Sequence, residues 1–225
     1  MKNKNKRSLA LGVVLLAITV SAANAGDGQP DYTKMSAERM AEYLIFEADS
    51  FALEQKVQEG GNARSRMTQD ETQKACSVIG GSMPDVETLA KIAAEARNTI
   101  GYPEMGIRLG DWKKGAELAW SGFGYRIGQQ SDDHGTREPG GNCYNCHEMS
   151  SDRTGGTIGP DLRGYGKTRG NNEASIRFAF EMIYNPHATF PCSAMPRFGY
   201  KNLLSEEQIG HLLAFLFDPA SPVNQ

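Results

Sequence analysis

The run Cys143-Tyr144-Asn145-Cys146-His147 dominates the 225-residue sequence. Two thiols three positions apart stand one helical turn apart, on a common face. That spacing suits the two vinyl groups on one edge of a porphyrin, where thioether bonds form. The histidine directly after the second cysteine can bring an imidazole nitrogen to the iron from below. The pattern C-x-x-C-H therefore points to covalent attachment of one haem c, with Cys143 and Cys146 as anchors and His147 as an iron ligand.

A bare C-x-x-C also occurs as a zinc half-site or as a redox disulfide. Zinc would need a second ligand pair at motif spacing, and the other cysteines, Cys76 and Cys192, are single and far apart. A thioredoxin-like motif belongs in a βαβ pattern, which this sequence lacks.

The N-terminus reads as an export signal. Lys2, Lys4, Lys6 and Arg7 form a basic region, Leu9 to Val20 a short apolar core, and Ala23-Asn24-Ala25 a cleavage site. The mature chain is expected to start at Gly26, in the periplasm, by the general secretory route; the alternative is an uncleaved anchor. Residues 1–25 are thus assigned to the signal, 26–105 to a helical N-terminal extension and 106–225 to a haem domain. The 24 basic residues of the whole chain become 20 after cleavage, against 27 acidic ones, a balance of −7. That excess of negative charge argues against nucleic acid as a partner. No other long apolar stretch follows, so the mature protein is expected to be soluble and off the membrane.

The extension carries helix signals and no evident chemistry. Ser36 opens a helix whose face holds Met40, Tyr43, Leu44, Glu47 and Phe51, ending at Gly60-Gly61. Thr68-x-x-Glu71 reads as a capping box for a helix through Cys76 to about Ile79, closed by Gly80-Gly81. Asp85 starts a third, with Val86, Leu89, Ala90 and Ala93 as its stripe. Core packing is the expected role of all three stripes. Further on, Ala116, Leu118, Ala119 and Trp120 mark a short helix, and the polar stretch Ser121 to Gly141 a functional or partner-facing loop. Glycines from Gly155 to Gly170 predict another loop. Ile176, Ala179, Phe180 and Ile183 mark a helix from Asn172 to Tyr184, and Ser205-x-x-Gln208 caps a last one with Ile209, Leu212, Leu213 and Leu216 buried. Strand signals are nearly absent, so the fold class is all-α.

The sixth iron position can take Met, His or Cys, or stay open. Downstream candidates are Met149, Met182, His187, Cys192, Met195 and His211. Met149 is too close to the motif to pass round the macrocycle, Met182 reads as core filler, and His211 as a packed or surface residue. Met195-Pro196 fits best: it lies in a loop, 48 residues after His147, and the proline stiffens the backbone behind the thioether. The bland alternative is an ordinary loop methionine. Gly159-Pro160 offers a carbonyl for the second imidazole nitrogen, and Leu162 an apolar contact for the ring.

Cys76 and Cys192 remain. In an oxidising compartment they are expected to pair, closing a loop of over a hundred residues worth about 4–5 kcal/mol. A bond to a partner chain and Cys192 as an iron ligand are the alternatives.

These motifs resemble a known family. Gly110-Asp111, the C-x-x-C-H run, Gly156-Thr157-Ile158-Gly159-Pro160-Asp161-Leu162 and Ala194-Met195-Pro196-Arg197-Phe198-Gly199 look like a class I cytochrome c. More narrowly, the G-T-I-G-P-D-L and M-P-R-F-G segments resemble SoxX, the small cytochrome subunit of the sulfur-oxidising SoxAX complex. The likeness spans about Ile107 to Ala220. It implies a His147/Met195 haem that relays electrons for a SoxA-like cytochrome partner. That partner's cysteine-ligated haem couples thiosulfate to a cysteine of a SoxYZ-like carrier, and a downstream cytochrome c or oxidase accepts the electrons. Enzymatic activity as an L-cysteine S-thiosulfotransferase would belong to the complex, with no catalytic residue in this chain. A free-standing electron shuttle shares the same ligands, whereas a sensor or peroxidase-like protein requires Met195 to stay off the iron.

Overall fold

Two helices pressed backbone to backbone form the centre of the molecule. In this computed structural model, which describes residues 30–58, 60–77, 82–124 and 137–225, helix α5 (Trp112–Trp120) crosses helix α8 (Glu206–Phe217) at Gly115. A Cβ at Gly115 would collide with the His211 carbonyl, so only glycine permits this approach. The Gly110 N–H donates to the Gly210 carbonyl at 2.9 Å beside the crossing. Every residue of α8 from Ile209 to Phe217 is buried. Each of its Ile, Leu and Phe side chains contributes about 1.5–3 kcal/mol of apolar burial. Ser205 and Gln208 cap α8 reciprocally, and His211 accepts the Asp111 N–H at Nδ1, 2.8 Å away, which ties the start of α5 to α8.

Helix α7 (Glu173–Tyr184), capped by Asn172, lays Ala179, Phe180 and Ile183 on the same core. It ends at Asn185, and a turn at Pro186–Ala188 follows. Helix α4 (Val86–Asn98) docks on that turn: Arg97 donates to the Ala188 carbonyl at 2.9 Å, and Asn185 donates to the Thr99 hydroxyl at 2.9 Å. Its buried stripe is Ile92, Ala93 and Ala96, while Val86 stays 83% exposed. The stripe expected from Val86 is therefore rotated toward the C-terminal end, where the partner turn lies.

The earlier helices are shorter than the sequence suggests. Helix α1 (Ala37–Glu42) passes into a single wide turn at Tyr43–Glu47, and neither segment buries a residue. Core packing fails there, with Leu44 and Phe51 more than 40% exposed. Helix α2 (Ala63–Met67) is additional. Helix α3 (Glu71–Cys76) starts at Asp70, not Thr68: Asp70 and Gln73 form the reciprocal cap, and the Thr68 hydroxyl instead donates to the Arg64 carbonyl. Ile79 and Gly80-Gly81, the signal, and most of the loop before the C-x-x-C-H run lie outside the described residues. The glycine-rich stretch after that run contains a short helix, α6 (Tyr165–Arg169), packed on α8 through Tyr165 and Phe217. No sheet occurs among the described residues, only two isolated bridges. The fold is all-α.

Candidate functional site

Cys143–Asn145 forms one tight helical turn, entered through Asn142 in the left-handed region at φ 50°. The Cys146 N–H donates to the Cys143 carbonyl at 3.1 Å and the His147 N–H to the same oxygen at 2.9 Å. This turn sets both cysteines and the histidine on one short rigid unit. Tyr144, between the thiols, points into the core, where its hydroxyl meets that of Ser150 at 2.7 Å and its ring stands edge-on to Trp120. Met149 is buried just beyond.

Both thiols are free. Burial pushes the Cys143 thiol up to about 12, so it is protonated and neutral at physiological pH. Among the described residues no three His, Cys, Asp or Glu side chains converge on a point that could hold a metal ion.

The segment 155–162 lies along the motif. Gly156, Gly159 and Leu162 donate their N–H groups to the carbonyls of Tyr144, Cys146 and Glu148, each at 2.7 Å. A Cβ at Gly155 would strike the His147 carbonyl, one at Gly156 the Asn145 carbonyl, and one at Gly159 the imidazole of His147 itself. The His147 Nδ1 stands 2.8 Å from the Pro160 carbonyl oxygen. A carbonyl only accepts, so Nδ1 is the donor here and Nε2 is the nitrogen left for an iron. The donor set fits a haem c: two thiols on one turn, and an imidazole whose other nitrogen, Nε2, is the one an iron needs. Leu162 is half-buried against the main core.

Met195 sits in the loop between α7 and α8, half-buried against the same core as Cys143 and Leu162. The loop folds back to the motif through Phe198: its ring and the Cys143 sulfur both lie within 4 Å of the position a Cβ on Gly141 would take. Cys76 and Cys192 are joined by a disulfide, with Cα atoms 5.2 Å apart. A cavity of about 230 Å³ opens beside it, lined by Cys76, His187, Met195 and Arg197 among others. His187 is buried, its Nδ1 has no hydrogen-bond partner, and burial together with the Arg197 charge lowers its pKa.

Asp70 is the site residue that sequence reading passes over. Its carboxylate accepts from Arg197 at 2.8 Å, from Lys201 at 2.7 Å and from the Gln73 N–H at 2.9 Å. Burial works against the charge, but Lys201, the Gln73 N–H and Arg197 outweigh it and hold the carboxyl at about 2. The D-x-x-Q cap was visible in the sequence; the partners more than a hundred residues away were not.

No family model matches the chain. Over 216 residues it is 35% identical to a protein of Aquifex aeolicus (strain VF5) named an uncharacterized lipoprotein, a match that covers 95% of this chain and 99% of the relative. The region before residue 106 therefore belongs to the shared sequence as much as the C-x-x-C-H half does. This chain belongs to the same family as that Aquifex protein.

Proposed function

We propose that the chain is a periplasmic cytochrome of class I type, carrying one haem c and relaying single electrons as the SoxX-like subunit of a thiosulfate-oxidising complex. The observation that carries this reading is the His147–Pro160 contact beside two free thiols on one turn. Bound haem c supplies a reversible one-electron iron couple, whose potential a thioether ligand raises. The protein's part is to position and exclude. Cys143 and Cys146 anchor, Pro160 fixes the His147 tautomer, and the glycines at 155, 156 and 159 let the chain lie flat on the motif. Leu162 would supply an apolar wall, and the Met195 thioether would hold the iron together with His147. The two segments with the narrower SoxX likeness, G-T-I-G-P-D-L and M-P-R-F-G, both fold back to the motif.

His187 is the alternative to Met195 as the residue that would hold the iron together with His147, because its buried Nδ1 is unpartnered and His187 lines the same cavity as Met195. A ferric protein with the far-red sulfur-to-iron charge-transfer band that Met195→Ala abolishes supports Met195. Absence of the band in wild type, with ligation lost in His187→Ala, selects the histidine.

Export is supported by the signal pattern and by the Cys76–Cys192 bond, which suits an oxidising compartment. No helix among the described residues is long and apolar enough to cross a membrane. The relative's name says lipoprotein, yet the first cysteine here is Cys76, so acylation next to Ala25 has no thiol to use. The partner assignment is tested by a native pull-down with haem staining. Co-purification of a second haem-bearing subunit supports it, and a chain that isolates alone at physiological concentration counts against it.

A further inference from the structure

The loop that carries Met195 has little structure of its own. Among the described residues, Cys192, Ala194, Met195 and Pro196 make no backbone–backbone hydrogen bond. The Met195 N–H reaches only the Ser193 hydroxyl, at 3.2 Å. Cys192 is held at φ 60°, a left-handed conformation that a residue with a Cβ rarely adopts unless its surroundings impose it.

Those surroundings come from α3, at both of its ends. Its last residue, Cys76, is bonded to Cys192, three positions before Met195. Its cap, Asp70, holds Arg197, two positions after Met195, and Lys201 beyond. Six residues of α-helix span about 9 Å, so the two anchors are set apart at a fixed distance. The Arg197 side chain is only 9% exposed, which makes its pairing with Asp70 costly to break. Gln73, Cys76 and Ser77 line the same cavity as Met195, Pro196 and Arg197.

We propose that α3 is a splint for the Met195 loop, with Asp70 and the Cys76–Cys192 bond as positioning residues that keep the Met195 thioether in place for the iron. This rests on the His147/Met195 ligation proposed above. It gives the region before residue 106 a role in the haem site, and it makes that site responsive to the redox state of the disulfide.

The test uses the full-length haem-loaded chain as wild type, Asp70→Asn, and the double variant Cys76→Ser with Cys192→Ser. Equal haem content and equal helicity are checked first. The asparagine still caps α3, so the substitution removes the charge pairing and leaves the helix start. The readouts are the ferric far-red sulfur-to-iron band and carbon monoxide binding to the ferrous protein. Wild type is expected to show the band and bind slowly. Asp70→Asn is expected to lose part of the band and bind about tenfold faster, as a larger fraction of molecules has the thioether off the iron. The double variant is expected to lose more. Where it fails to fold, wild type with the disulfide reduced by a phosphine takes its place. A wild type with the band, and variants indistinguishable from it, overturns the splint and leaves Met195 ligation standing. A wild type without the band overturns the ligation and the splint with it.

Discussion

The Nδ1 atom of His147 lies 2.8 Å from the carbonyl oxygen of Pro160, and that contact decides which ring nitrogen is free to bind a metal. Proline has no N–H, so its fixed backbone turns the carbonyl toward the imidazole without offering a competing donor. The neighbouring Gly159 leaves room for the ring, since a Cβ there would overlap the imidazole.

Gly159→Ala follows directly. The new methyl would overlap the imidazole, and the ring or the segment 155–162 must move. Overpacking of this kind costs about 1–3 kcal/mol. The variant is expected to lower the urea midpoint and to reduce haem incorporation several-fold, read by absorbance per mole of protein. An unchanged midpoint and haem yield would show that the glycine is not needed for the approach.

The α5–α8 crossing makes a parallel prediction away from the site. Gly115→Ala gains about 1 kcal/mol of helix propensity, but its methyl meets the His211 backbone carbonyl, which cannot rotate away. The overlap wins, and a net loss of up to about 2 kcal/mol is expected in chemical denaturation.

Asp70 sets the acid limit of the splint. Its carboxyl is held at about 2 in the folded chain against an ordinary 3.8. The folded value is the lower one, so the stabilisation is complete above the ordinary value and is lost as pH falls through about 2. Partial exposure reduces its size to about 1 kcal/mol. Urea midpoints of wild type are expected to fall between pH 4 and pH 2, with the fall shallower in Asp70→Asn.

The Cys76–Cys192 bond closes a span of 116 residues. Loop entropy puts its contribution at about 4–5 kcal/mol. Replacing both cysteines with serine is expected to lower Tm by roughly 10 °C or more in a chain of this size. A shift of a degree or two would mean that the unfolded chain is already constrained there.

The sequence was most legible where period and cap agree. Asn172 before the α7 stripe, and Ser205 with Gln208 before the α8 stripe, each combine a side-chain cap with apolar spacing that has one solution. It was least legible where two local patterns overlap. Thr68-x-x-Glu71 and Asp70-x-x-Gln73 are both capping patterns, and only the second is used, because Asp70 also gains Arg197 and Lys201. The stripe of Met40, Tyr43 and Leu44 had the right spacing for burial, but the helix ends at Glu42, gives way to the wide turn, and buries nothing. Around the site, the C-x-x-C-H unit and the Pro160 carbonyl are near in sequence and could be read together. The hold of α3 on the Met195 loop joins residues 116 to 131 positions apart, and no local pattern announces such a contact.

The most direct measurement is haem-stained denaturing electrophoresis of the full-length chain, expressed with a c-type maturation system, beside the variant Cys143→Ala with Cys146→Ala. Wild type is expected to keep a haem-staining band at its own mass after denaturation and the variant to lose it. A wild-type chain that is exported and folded yet carries no covalent haem would contradict the proposed function at its root.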